Sequence, residues 1–177
     1  MTADRPPKVN VRTEDPFSTP PGERRVDRRL RGRLVAPVTV WTAGTPERLA
    51  GLTVSSVLVA EGEPPHLLGL LDPLSELVEL ATATSTFTVH VLAEADRRLA
   101  AAFAAEYPGD PFDGLEVAET RHGPKLLIGR TVAACRLAET APVGYSLLVT
   151  GVIEEVEIAR EGAPLARYRG GYRTLAG

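Results

Sequence analysis

The sequence predicts a mainly β protein: an antiparallel barrel, closed or partly closed, with helices at its periphery. Three observations carry that prediction. Roughly eight segments show strand patterning, against one well-patterned helix and one or two short ones. Turn residues separate those segments at short intervals, as at Ala43-Gly44-Thr45-Pro46 and Gly62-Glu63-Pro64-Pro65. The strands also outnumber the helices too heavily for a parallel sheet covered by helices on both faces.

Each element follows from its local pattern. Residues 1–21 hold Pro6, Pro7, Pro16, Pro20 and Pro21 and little to bury, which predicts a flexible arm ahead of one domain over residues 22–177. Good helix formers from Glu23 to Leu34 predict a short helix. Its run of arginines, Arg24 to Arg33, reads as a solvated face. Leu34 to Trp41 reads as a strand ending at the Gly44-Thr45-Pro46 turn, with Trp41 in the core. Gly51–Ala60 and His66–Asp72 are the next two strands. Pro73 fits the first turn of a helix over Leu74–Ala81. Thr84–Leu92 alternates as a strand. Ala93–Tyr107 is the clearest helix, with Leu99, Ala102, Phe103 and Ala105 on one face. A loop follows from Tyr107 to Gly114. Strands are then expected over Leu115–Thr120, Lys125–Ile128, Thr131–Ala138, Tyr145–Ile158 and Pro164–Tyr168.

Composition removes several function classes. The chain has 177 residues and a formal net charge of −3, so no basic face points to nucleic acid. No apolar run approaches the ~18 residues of a membrane span. The N-terminal segment lacks the apolar stretch of a secretory signal, which leaves the cytoplasm as the expected location. A single cysteine, Cys135, forms no intrachain disulfide and reads as a core residue. His66, His90 and His122 lack metal-ligand spacing. No nucleophile elbow and no Gly-x-Gly-x-x-Gly fingerprint occurs.

The stretch Gly51-Leu52-Thr53-Val54-Ser55-Ser56 is the first candidate for chemistry. A strand ending in Thr, Ser and Ser gathers hydroxyls and backbone N–H groups, which suit a phosphate or the polar edge of a planar ring. The same pattern also fits a plain edge strand. Downstream, Asp72 and Ser75 stand at a helix start, where an anion is favoured. Then come Phe87-Thr88-Val89-His90-Val91-Leu92, the alanine-rich helix, Asp110-Pro111-Phe112-Asp113-Gly114, Gly123-Pro124-Lys125-Leu126, Gly144-Tyr145-Ser146, Gly151-Val152 and Tyr168-Arg169-Gly170-Gly171-Tyr172-Arg173.

This ordered set resembles the flavin-reductase-like family of FMN-binding split barrels, over roughly residues 25–175. The resemblance implies a Greek-key-like antiparallel barrel that binds FMN and takes electrons from NADH or NADPH. Thr53, Val54, Ser55 and Ser56 would lie along the flavin ring and ribityl chain. Asp72 and Ser75 would approach the phosphate. Tyr145 and Ser146 would border the substrate side. The family usually forms homodimers and can hand reduced flavin to a partner monooxygenase.

The sequence departs from the family at four places. Where many members carry Gly-Asp-His, it has Gly144-Tyr145-Ser146. An imidazole titrates near neutral pH and a serine hydroxyl does not. Pro111 stands where Arg is frequent, Glu76 where a basic residue is frequent, and His90 where Asn is common. Two functions therefore stay open: an NAD(P)H:flavin reductase, and an FMN-binding protein with little nicotinamide-dependent activity. A heme-binding barrel is a third and would need His66, His90 or His122 as ligand. The segment Tyr168–Tyr172 reads either as a hairpin packed on the barrel or as an approach to the site.

Overall fold

The computed structural model describes residues 26–160 and 162–175. The arm expected over residues 1–21 and the start of the first helix lie outside the described residues.

Twelve strands and three α-helices make up the described chain. In order they are α1 (Val26–Arg31), β1 (Ala36–Pro37), β2 (Thr39–Thr45), β3 (Arg48–Val54), β4 (Val57–Ala60), β5 (His66–Leu71) and α2 (Glu76–Thr84). There follow β6 (Thr86–Val91), a 3-10 turn at Glu94–Asp96, α3 (Arg97–Phe103), β7 (Val117–Thr120) and β8 (Gly123–Leu126). The last four are β9 (Val132–Val143), β10 (Ser146–Glu157), β11 (Leu165–Tyr168) and β12 (Gly171–Thr174).

Seven strands form one antiparallel sheet in the order β3-β2-β6-β9-β10-β5-β4. Its two edges, β3 and β4, are successive in the chain and joined only by Ser55 and Ser56. So short a link brings the two edges together at that corner and curls the sheet into the partly closed barrel that the sequence predicts. A β1-β11-β12 sheet and a β7-β8 hairpin lie outside the main sheet. No described helix is long and apolar enough to cross a membrane.

The barrel interior is filled by an aromatic pair seated on glycines. Trp41 and Phe87 stack at 4.8 Å between centroids and 2° between planes. A Cβ at Gly69 would fall 2.7 Å from Trp41, and one at Gly151 would fall 2.4 Å from Phe87. Both glycines therefore serve close packing, since neither has a positive φ. A second apolar cluster, with Val38, Val40, Phe103 and Leu165, packs α3 onto the barrel.

Several boundaries differ from the sequence expectation for identifiable reasons. The strand expected over Gly51–Ala60 is two strands, because the chain passes from one sheet edge to the other at Ser55-Ser56. The Leu74–Ala81 helix starts two residues later: Ser75, not Pro73, opens it, with its hydroxyl accepting from the Val78 N–H at 3.4 Å. The Ala93–Tyr107 helix stops at Phe103. Ala105 adopts φ +55°, and Glu106 N–H donates back to the Ala101 carbonyl at 3.0 Å. That is a left-handed helix terminator, usually built on glycine. Here alanine occupies it, so the sequence carries no visible stop signal. β9 runs five residues past Ala138 because it pairs with β10 as one long hairpin. The C-terminal hairpin reading is borne out by β11 and β12.

Candidate active site

Strand register builds the site. β5 and β10 pair with Leu71 opposite Leu147, so the next residues outward, Asp72 and Ser146, leave the sheet at the same end. β4 and β5 pair with Val57 opposite Gly69, which carries Ser56 and Ser55 toward that end. The Ser56 hydroxyl donates to the Leu70 carbonyl at 2.8 Å, and the Leu70 N–H returns a bond to Ser56 O at 3.2 Å. The β9–β10 hairpin turns through Gly144 and Tyr145. Gly144 has φ +58°, a value a two-residue hairpin loop needs and glycine supplies without strain. Tyr145 is 58% exposed beside it. Ser55, Ser56, Asp72, Tyr145 and Ser146 thus gather where the strands end.

The hydroxyls differ in what they have left to offer. Thr53 donates to the Ala100 carbonyl of α3 at 2.6 Å, so it holds the helix against β3. Ser75 donates to the Asp72 carbonyl at 2.8 Å and caps α2. The Asp72 carboxylate accepts from the Leu74 N–H at 2.9 Å. Val54 is buried in the barrel core and offers its carbonyl. Ser55 and Ser146 are the two candidates whose hydroxyls have no hydrogen-bond partner among the described residues.

A residue that sequence reasoning passed over ties this end to the core. The Trp41 indole N–H donates to Thr39 Oγ1 at 3.0 Å, and the Thr39 hydroxyl donates to the Val54 carbonyl at 2.7 Å. The signal was a threonine two places before a tryptophan on one strand face.

Ion pairing and hydrogen bonding account for two of the departures noted above, Glu76 and His90. Glu76 pairs with Arg48 at 2.8 Å, and Arg48 also reaches Glu79 at 2.7 Å. The Arg48 bonds hold the Glu79 carboxyl below its ordinary range. Glu76 is thus engaged on the exposed helix face by Arg48, which it shares with Glu79. His90 is fully buried and structural. Its Nε2 accepts from the Leu126 N–H at 2.9 Å, so Nδ1 carries the proton and donates to the Val40 carbonyl at 3.1 Å. Burial pushes its pKa down to about 4. His122 Nε2 lies 2.8 Å from Glu154, which also accepts from Arg136 at 2.9 Å. His90 and His122 are thus engaged within the fold, and no group of three metal-binding side chains occurs among the described residues. Cys135 is buried and its thiol is pushed up to about 12, as expected of a core residue.

Comparison with known proteins agrees with this architecture. A family model described as flavin reductase like domain matches residues 31–176. The reductase component of 4-hydroxyphenylacetate 3-monooxygenase from Thermus thermophilus is 32% identical over 143 residues, covering 81% of this chain and 91% of its own. An FMN reductase (NADH) from Stutzerimonas stutzeri is 33% identical over 119 residues, covering 66% and 68%. Among solved structures, the flavin reductase PheA2 superposes with a TM-score of 0.78 at 19% identity, covering 86% and 97%. The nitrilotriacetate monooxygenase component B homologue from Mycobacterium thermoresistibile gives 0.77 at 24% identity, covering 85% of each chain. The structural likenesses establish the split-barrel fold, and the matches over most of the chain establish that it belongs to the family of flavin reductase like domains.

Proposed function

We propose that the protein is an FMN-binding flavin reductase that uses NADH or NADPH and supplies reduced flavin, with a monooxygenase as its physiological customer. The convergence of the uncommitted Ser55 and Ser146 hydroxyls with Tyr145 at one end of the strands is the observation that carries this reading. That donor set fits a flavin: hydroxyls for the polar ring edge and ribityl chain, and an exposed aromatic ring for a planar partner. Flavin, when bound, supplies the hydride chemistry. The protein's own part is to bind and orient. Ser55 and Ser56 would hold the flavin, with Thr53 and Val54 fixing the strand that carries them. Asp72 and Ser75 would shape the turn facing the phosphate. Ser146 and Tyr145 would border the nicotinamide.

The homodimer belongs to the same proposal. Leu67 and Leu71 face the core, so Leu68 and Leu70 face outward on β5. Register sets Leu58 beside Leu68 and Leu148 beside Leu70. With Leu58 at 72% and Leu70 at 40% exposure, this is an apolar outer face that suits a second copy. Leu70→Glu is expected to convert a dimer to monomers in light scattering. A cytoplasmic location agrees with the buried free thiol.

Ser146 favours a second reading, an FMN-binding protein with little nicotinamide-dependent turnover. NADH oxidation with added FMN separates the two. The reductase reading expects turnover in the natural protein, and Ser146→His to raise it about tenfold to a hundredfold by restoring a group that titrates near neutrality. Tight FMN binding with no turnover would select the second reading.

A further inference from the structure

Away from the residues above, three guanidinium groups converge on Tyr172. β12 is the edge strand of its sheet, which leaves the Tyr172 carbonyl pointing away from β11. Arg173 Nη1 donates to that carbonyl at 2.9 Å and Arg97 Nη1 at 3.4 Å. Arg167 lies 4.5 Å over the Tyr172 ring. Only Arg167 has a carboxylate, Glu106 at 3.4 Å. Arg97 and Arg173 have no acidic partner within 4.0 Å among the described residues. Two like charges are thus held against one oxygen with a surplus of N–H donors still open.

Gly171 leaves room for this arrangement. A Cβ at Gly171 would fall 2.9 Å from Arg173 Nη1, so glycine leaves the space in which Arg173 folds back. Gly171 has no positive φ, so conformation alone does not call for glycine. The cluster shares helix α3 with the Thr53 contact. Arg97 is three residues before Ala100, whose carbonyl accepts the Thr53 hydroxyl, a step of about 5 Å along the helix. β1, which pairs with β11, precedes the β2 residue Thr39 that pairs with Val54.

We propose that Arg97 and Arg173 form a binding site for a nucleotide phosphate. Planar guanidinium groups suit phosphate oxygens in paired hydrogen bonds, and an anion relieves the repulsion between the two. The site stands on this geometry; the identity of the nucleotide, flavin or pyridine nucleotide, rests on the reductase reading.

The test uses the full chain and the double variant R97Q/R173Q, with R98Q as a control for general loss of positive charge. ADP and inorganic pyrophosphate are titrated calorimetrically at low and moderate salt. The proposal expects binding to the natural chain and to R98Q, weakened about tenfold or more in the double variant. It is overturned if neither probe binds the natural chain, or if the double variant, folded by circular dichroism, binds equally. FMN, riboflavin and NADH then identify the source. A higher FMN Kd with riboflavin unchanged assigns the flavin phosphate here and overturns its placement at the Asp72–Ser75 turn, and a higher NADH KM with FMN unchanged assigns the pyridine nucleotide. Failure of the natural chain to bind any flavin would sink the reductase reading while the ADP and pyrophosphate result still decides the site.

Discussion

The middle of the barrel and its open end are built on opposite rules. In the middle, Trp41 and Phe87 stack between Gly69 and Gly151 and the Trp41 N–H is taken up by Thr39, while on the other face of β6 His90 spends both ring nitrogens on backbone groups. Every polar atom named there has a partner. At the end, Ser55 and Ser146 carry hydroxyls with no described partner, and Tyr145 and Leu74 stand mostly exposed. The first region fixes the shape. The second leaves hydroxyls without a described partner and apolar side chains exposed. Stability and binding should therefore respond to different substitutions.

The largest effect is expected in the core. Trp41→Ala removes one half of the stack and the N–H that holds Thr39. A change of this kind costs about 3–5 kcal/mol. At this chain length that lowers Tm by about 6–20 °C in a thermal melt. A drop of only a degree or two would show that the aromatic pair does not govern the fold.

His90 gives the next effect, and its sign is fixed by its environment. Its folded pKa is lowered to about 4 by burial. Above the ordinary histidine range both states are neutral, and the full stability is present. As pH falls through that range toward 4, the unfolded chain takes up the proton first and stability is lost. The loss is on the order of 3 kcal/mol by pH 4. Chemical denaturation of the natural chain and of His90→Gln across pH 4–7 checks this. The difference between them should shrink as pH falls, because only the natural chain loses the histidine contribution.

The smallest effect on stability, and the sharpest on binding, is expected at the open end. Ser55→Ala removes a hydroxyl with no described partner. It should weaken FMN about fivefold to tenfold while Tm moves by no more than about a degree. Thr53→Val should do the reverse, costing about 1 kcal/mol through its bond to α3. If Ser55→Ala destabilised the fold as much as Thr53→Val, the contrast between the two regions would fail.

The same contrast explains what was legible in the sequence. The predominance of strands and the buried Trp41 and Cys135 follow from alternation and turn residues, which are local, whereas the count of twelve strands against the roughly eight expected does not. The gathering of Asp72, Ser146 and Ser55 depends on the register of β5 with β10 and β4, which pairs residues far apart in the chain. The motifs could be named, but their meeting could not be read from spacing. The early end of α3 was hidden because alanine takes the left-handed position where glycine would have announced it. The capping role of Ser75 was hidden because a serine at a helix start serves a cap and a phosphate equally well. The cluster on Tyr172 joins α3 to the last strand, again a matter of packing.

The most direct test of the central claim is a visible absorbance titration of FMN with the purified full-length protein, followed by NADH or NADPH under anaerobic conditions. Flavin bands that shift on binding and bleach with a nicotinamide donor are expected. Unshifted bands at saturating protein would contradict it.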